Sequence, residues 1–237
     1  MTLIRRNRLT AKAPQGAAKG TVGHKKHRRH RISPGLQGRT AGTLGIAGTF
    51  SFYPGKNLGA YGDAGAIITD DGALAERALM FANHGSPRKH VHEMEGINSR
   101  MDGIQAAILA VKLEYIDQWN AARDRNADAY DRLFAGFEPV ITPKRHTDRS
   151  HIFHLYVIRV AQRDELADFL KSKGIETGIH YPTALPFMPA YAYLGHKPSD
   201  FPIAFANQDR ILSLPMYPEL SEEQIAHVVG SIKEFFA

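Results

Sequence analysis

The sequence predicts mixed α and β structure closing in a compact α+β domain. Three observations predict it. After about residue 150 the chain alternates strand, helix, strand and helix patterns. Ahead of that, apolar residues at three- and four-residue steps mark a long helix. Earlier still, AGAIITDDG reads as a short β-branched strand closed by an Asp-Gly turn.

Taken in order, the stretch from Gly38 is rich in small residues and runs into a short apolar strand ending at Phe52. Residues 73–82 form a short amphipathic helix, and the polar residues 83–99 form a loop. The long helix carries Ile104, Ala107, Ile108, Val111, Tyr115, Trp119 and Ala122 on one stripe and runs to about Leu133. Asp102 near its start complements the helix dipole. The stripe is most simply a core face; an aromatic-lined ligand site is the other reading. HIFHLYVIRV alternates as a strand, and RDELADFLKSKG is a helix stopped by Gly174. IETGIHYP reads as another short strand, and residues 182–202, rich in Pro and Tyr, as an extended surface loop. FPIAFANQDRILSLPM gives a helix and then a strand. The last helix opens with Ser221 as N-cap and Gln224 three residues on, a capping box.

Composition narrows the function classes. A hydrophobic share of 43% and a charged share of 23% suit a soluble globular chain of one large or two small domains. The absence of cysteine excludes disulfides and thiolate metal sites. No apolar run approaches the ~20 residues of a membrane span, and the basic N-terminus lacks the apolar core of a secretory signal. A cytoplasmic protein is expected, with no membrane partner.

The net charge of +6 is unevenly spread. Residues 1–50 hold 11 Lys or Arg and no Asp or Glu, which leaves 19 basic and 24 acidic residues for the rest. A nucleic-acid reading could therefore apply only to the head, and none is expected for the body. Residues 1–36 show no helical or strand period and few apolar groups, so they are expected to be disordered. The head could be a basic arm, an organelle-targeting peptide, or sequence from a wrong start or shifted frame. The abrupt change near Gln37 favours the last. His24, His27 and His30 belong more simply to the basic run than to a metal site, and no metal is expected.

The informative stretch is Ser51-Phe52-Tyr53-Pro54-Gly55-Lys56-Asn57-Leu58. A strand runs into a Pro-Gly turn that presents one lysine. A lysine held on a rigid turn meets the needs of Schiff-base chemistry with an aldehyde. On these residues alone, a plain surface lysine is the simpler reading.

Together with Gly62-Asp63-Ala64-Gly65-Ala66, this stretch resembles the lysine segment of the DegT/DnrJ/EryC1/StrS family of sugar aminotransferases, which use pyridoxal phosphate (PLP). Three further blocks carry the resemblance in the family's order: Asn98-Ser99-Arg100-Met101-Asp102 with Gln105-Ala106-Ala107, Gly174-Ile175 through His180-Tyr181-Pro182, and Leu212-Ser213-Leu214-Pro215-Met216. It covers about residues 38–237.

The resemblance implies the α/β fold of fold-type I PLP transferases, here as an incomplete large domain followed by the small α+β domain. The implied divisions are an off-family head at 1–36, a remnant of the PLP-binding domain at 37–125, and a C-terminal domain at 126–237. It implies Lys56 as the lysine that holds PLP and then moves a proton between substrate and cofactor carbons. Ser51 would bind the PLP phosphate. Asn98 would do so from a partner subunit, making a homodimer with shared sites. His180 and Tyr181 would line the sugar-nucleotide side, although a purely structural histidine fits as well; His84 is a weaker candidate.

The implied reaction passes an amino group, from glutamate as donor, to a nucleotide-linked keto sugar of the kind used in polysaccharide biosynthesis. The Pro-Gly-Lys-Asn-Leu-Gly wording points to 3-keto rather than 4-keto sugars. The family is considerably longer, and its aspartate for the pyridine nitrogen would fall shortly before Gly38. Here that place reads His27-Arg28-Arg29-His30-Arg31, and no acid precedes Asp63. Asp63-Ala64-Gly65 replaces a glycine pair after the acid, and Pro186 stands where many members have histidine. The alternative expectation is therefore an inactive, truncated remnant with an exposed sheet edge and exposed apolar surface.

Overall fold

The computed structural model describes Thr2–Arg5, Gly35–Leu36 and residues 38–237. The readings of His24, His27 and His30, and of the acid expected before Gly38, lie outside the described residues. The chain divides into two units, one reaching Gln118 and including Thr147–His151, the other Trp119–His146 with Ile152–Ala237. The division falls at Gln118, ahead of the boundary at 125 drawn from the sequence.

The first unit contains strands β1 (Thr2–Arg5), β2 (Gly35–Leu36), β3 (Arg39–Thr40), β4 (Ala47–Ser51) and β5 (Gly65–Thr69). Helices α1 (Gly72–Phe81) and α2 (Gly103–Leu113) follow. β5 is the centre of a three-stranded sheet, parallel to β1 and antiparallel to β4. β2 and β3 form a separate small hairpin. The expected disorder of the head is corrected at Thr2–Arg5, which pair residue by residue with Ala66–Thr69. Four residues are too few to show a period, yet their backbone groups satisfy an edge of β5 that would otherwise stand open.

α1 packs on β1 and β5. It starts at Asp71, whose carboxylate accepts from Leu74 N–H at 3.0 Å. Thr69, fully buried, donates its hydroxyl to the Ile46 carbonyl at 2.7 Å and ties the end of β5 to the start of β4.

The long helix predicted from Asp102 to about Leu133 is two helices. α2 ends at Leu113 and α3 (Ile116–Phe134) begins after a break at Glu114 and Tyr115. Only Leu109 is buried in α2, whereas Ile104 and Val111 of the expected core stripe are 75% and 62% exposed. In α3 the buried positions are Ile116, Asn120, Ala122, Arg123, Ala127, Ala129, Tyr130 and Phe134, so Ala122 of the expected stripe is buried. Among the described residues of the first unit, β1 and β4 are the outer strands of the sheet, and Ile46, Tyr61 and Leu79 face solvent with Ile104 and Val111, the expected exposed apolar surface.

The second unit holds α3 from Trp119 onward, β6 (Tyr156–Arg159), α4 (Arg163–Ser172), α5 (Pro202–Gln208), β7 (Ile211–Leu214) and α6 (Glu222–Phe235). β6 and β7 are antiparallel. Single bridges extend the ladder on both sides, Ile141 to Arg159 and Gly178 to Ser213. The strand expected over IETGIHYP is thus one bridge only. The segment expected as an extended loop contains three short 3-10 turns at Leu185–Phe187, Pro189–Leu194 and Pro198–Asp200; a proline presets the first or second residue of each.

Leu166 and Leu170 of α4, Ile225 and Ile232 of α6, and Tyr156, Ile158 and Leu212 of the ladder form the core. Each such side chain contributes roughly 1.5–3 kcal/mol through burial. α4 stops as predicted: Gly174 takes φ +76°, and Ile175 N–H returns to the Leu170 carbonyl at 2.9 Å. The capping box at Ser221 and Gln224 is formed in both directions. Arg123 is buried and fastens α3, giving hydrogen bonds to the carbonyls of Phe153, His154 and Met216 at 3.1, 3.3 and 2.7 Å. Its burial lowers the guanidinium's pKa, with Glu219 opposing.

Candidate active site

Lys56 stands on a β-turn immediately after β4. Its N–H donates to the Tyr53 carbonyl at 2.9 Å, closing Tyr53-Pro54-Gly55-Lys56. Pro54 at the second position presets the backbone angle such a turn needs. The side chain of Lys56 is half-buried. Ser51, the last residue of β4, is exposed, and its Oγ accepts from Tyr53 N–H at 3.3 Å. Hydroxyl and lysine therefore belong to one tight excursion from the end of a strand.

Asn98 sits on a different support. Asn83 and Asn98 form an antiparallel bridge at the end of α1. His84 N–H donates to the Ile97 carbonyl at 3.0 Å, and Ser99 N–H to Ala82 at 2.9 Å. Arg100 spans the pair, donating to the Asn98 side-chain oxygen and to that of Asn83, both at 3.1 Å. The sequence reading names Arg100 within its motif block without giving it a role, and passes over Asn83, which adjoins His84. His84 is held at φ 57°, an uncommon backbone angle for a non-glycine residue.

His180 and Tyr181 lie in the second unit. His180 is exposed, with Nδ1 2.9 Å from the Oγ of buried Ser213 on β7. Tyr181 is 66% exposed, and its ring meets the His180 ring edge-on. Gln105 and Lys112 of α2 also reach the Lys56 loop, joining residues 44 and 53 positions apart. No local sequence signal marks those contacts.

The sequence model of the DegT/DnrJ/EryC1/StrS aminotransferase family matches residues 30–233. The chain belongs to this family. DegT/DnrJ/EryC1/StrS aminotransferases are PLP-dependent, and the fold is the fold-type I α/β arrangement of their solved structures.

Among curated relatives, the chain is 48% identical to a "Pleiotropic regulatory protein" of Geobacillus stearothermophilus over 86% of this chain and 56% of that one. It is 40% identical to the dTDP-3-amino-3,4,6-trideoxy-alpha-D-glucose transaminase of Streptomyces venezuelae, over 84% and 52%. The crystal structure of S. venezuelae DesV, in complex with a ketimine intermediate, superposes with a TM-score of 0.80 at 39% identity, covering 85% of this chain and 54% of that one. The chain spans about half the length of the curated relatives it matches.

The residues present fit two ends of PLP. The Lys56 amine is the nucleophile that an aldehyde requires, and the Ser51 hydroxyl is a donor of the kind that binds phosphate. An acid for the pyridine nitrogen is absent from residues 1–62. Among the described residues no cluster of His, Asp and Glu could hold a metal, and no helix is long and apolar enough to cross a membrane.

Proposed function

We propose that the chain carries the lysine half of a PLP-dependent site that transfers an amino group to a nucleotide-linked keto sugar. The observation that carries this reading is Lys56, half-buried on a turn within the segment that matches the aminotransferase family. The 40% identity to a transaminase named for a 3-amino sugar supports a 3-keto substrate. Glutamate is the proposed donor, leaving as its keto acid.

When bound, PLP supplies the electron sink that makes amino transfer possible. Lys56 would bind the cofactor's aldehyde carbon through its ε-nitrogen. Once released, the same nitrogen would hold and move one proton. Ser51 would donate its hydroxyl to the cofactor phosphate. Asn98 would donate its amide to the phosphate in a second copy of the chain, so that a homodimer shares its sites. His180 and Tyr181 would orient the sugar nucleotide. A cytoplasmic location fits soluble substrates of this kind.

A second reading is a catalytically inactive remnant of such an enzyme. The absence of any acid before Asp63 favours it, since an acidic partner keeps the pyridine nitrogen protonated.

The test is an absorbance spectrum of the purified chain with added PLP, beside Lys56→Ala. A Lys56-dependent band that borohydride fixes supports cofactor binding, and turnover with glutamate then separates the two readings. No band above the Lys56→Ala control rejects the first reading and supports the second.

A further inference from the structure

The segment between β4 and β5 is a closed loop. Phe52 N–H donates to the Ala64 carbonyl at 2.9 Å, and the Phe52 carbonyl accepts from Ala60 N–H at 2.8 Å. The chain leaves and returns beside one residue. Lys56 lies on the outgoing limb; Gly59 to Gly62 form the returning limb.

α2 fastens the returning limb at two points. The Gln105 side-chain oxygen accepts from Tyr61 N–H at 2.8 Å. Lys112 Nζ donates to the Gly59 carbonyl at 2.7 Å and lies 4.6 Å from the centre of the Tyr61 ring. Positions 105 and 112 are two helical turns apart and so share a face of α2. The two limbs are in close contact, because a Cβ on Gly59 would come 2.2 Å from the Pro54 carbonyl oxygen. A displacement of Gly59 is therefore passed to Pro54, the second residue of the turn that presents Lys56.

We infer that Gln105 and Lys112 are positioning residues for Lys56: α2 clamps the returning limb, and the clamp sets the place of the lysine amine. The inference rests on the reading of Lys56 as the cofactor lysine. Lys112 acts here by a charged hydrogen bond to a backbone carbonyl and by its contact with an aromatic face, both independent of the reaction.

The experiment is amide hydrogen exchange on the full chain, with borohydride-trapped PLP labelling of Lys56 read by peptide mapping. Gln105→Leu removes the acceptor, and Gln105→Glu keeps one. Lys112→Met removes the donor, and Lys112→Arg keeps one. In Gln105→Leu the Tyr61 amide is expected to exchange about fivefold to tenfold faster, with recovery in Gln105→Glu. In the Gln105→Leu/Lys112→Met double variant, the Ala60 and Lys56 amides quicken and Lys56 labelling slows severalfold. The Ile67 and Ile68 amides of β5 stay protected, reporting an intact sheet.

Unchanged exchange at Tyr61 and Lys56 overturns the clamp. So does labelling as fast as in the unsubstituted chain when the loop has loosened. Absence of any Lys56 label in the unsubstituted chain overturns the cofactor-lysine reading instead, and is told apart because the exchange measurement still reports whether the loop is held.

Discussion

The Oγ of Ser213 lies 2.9 Å from Nδ1 of His180, so a buried strand residue holds one nitrogen of an exposed ring. The backbone reinforces the link: Gly178 and Ser213 exchange hydrogen bonds of 3.1 and 2.7 Å. A Cβ on Gly178 would approach the His180 ring to 2.7 Å, so glycine at this position leaves the room the ring occupies. Ser213→Ala is expected to lower stability by about 1 kcal/mol, the net worth of one hydrogen bond. Urea unfolding checks this, and Ser213→Thr, which keeps a hydroxyl, should lose less.

Ser51→Ala tests the proposed phosphate donor. The hydroxyl already accepts from Tyr53 N–H, so its own proton is available to an anion. A lost hydrogen bond to a charged phosphate predicts about tenfold weaker PLP binding. Titration of the PLP absorbance band measures it, and at saturating PLP the borohydride label should still fall on Lys56.

Gly59→Ala should strain the Lys56 loop directly. Its methyl group would meet backbone atoms of Pro54, which cannot swing aside as a side chain can. A loss of roughly 2 kcal/mol is expected from overpacking of this kind, seen as a lowered melting temperature. Labelling of Lys56 by PLP should fall in the same variant.

The second unit should lose stability in alkali. Tyr156 donates to Asp131 at 2.5 Å, and its ring is buried against Tyr130. Burial, then the Asp131 hydrogen bond and charge, raise the Tyr156 pKa, and burial also raises that of Tyr130. The folded state thus keeps protons that the unfolded chain releases near pH ~10. This stability is fully present below that pH and is lost as pH rises toward the folded pKa. Each group contributes a slope of about 1.4 kcal/mol per pH unit. Urea midpoints from about pH 9 to 11 should fall, and Tyr156→Phe should flatten the fall.

Leu170→Ala and Val111→Ala separate buried from exposed apolar positions. Leu170 is fully buried in α4, and its truncation should cost about 2–5 kcal/mol. Val111 is 62% exposed on α2, and its truncation should change stability by under about 0.5 kcal/mol. Equal losses from the two would contradict the exposed stripe.

Much of the second unit is legible in the sequence because its signals are local. The Ser221 capping box, the Gly174 stop and the α4 pattern each lie within a few residues of what they control. The lysine turn is legible for the same reason, since Pro54 and Gly55 adjoin Lys56. The break at Glu114 and Tyr115 is not: good helix formers continue through it, and the apolar stripe keeps its period across it. β1 escapes notice because four residues carry no period, and its order comes from the edge it pairs with.

By itself, then, the sequence determines the class of fold, the family and the identity of the lysine turn, all matters of short-range pattern and ordered blocks. The tertiary structure alone decides which face of α2 is exposed and what holds the Lys56 loop. Tyr61 meets Gln105 across 44 residues, and His180 meets Ser213 across 33. Such pairings depend on how the chain closes on itself, and a periodicity of two or 3.6 residues carries no record of that closure.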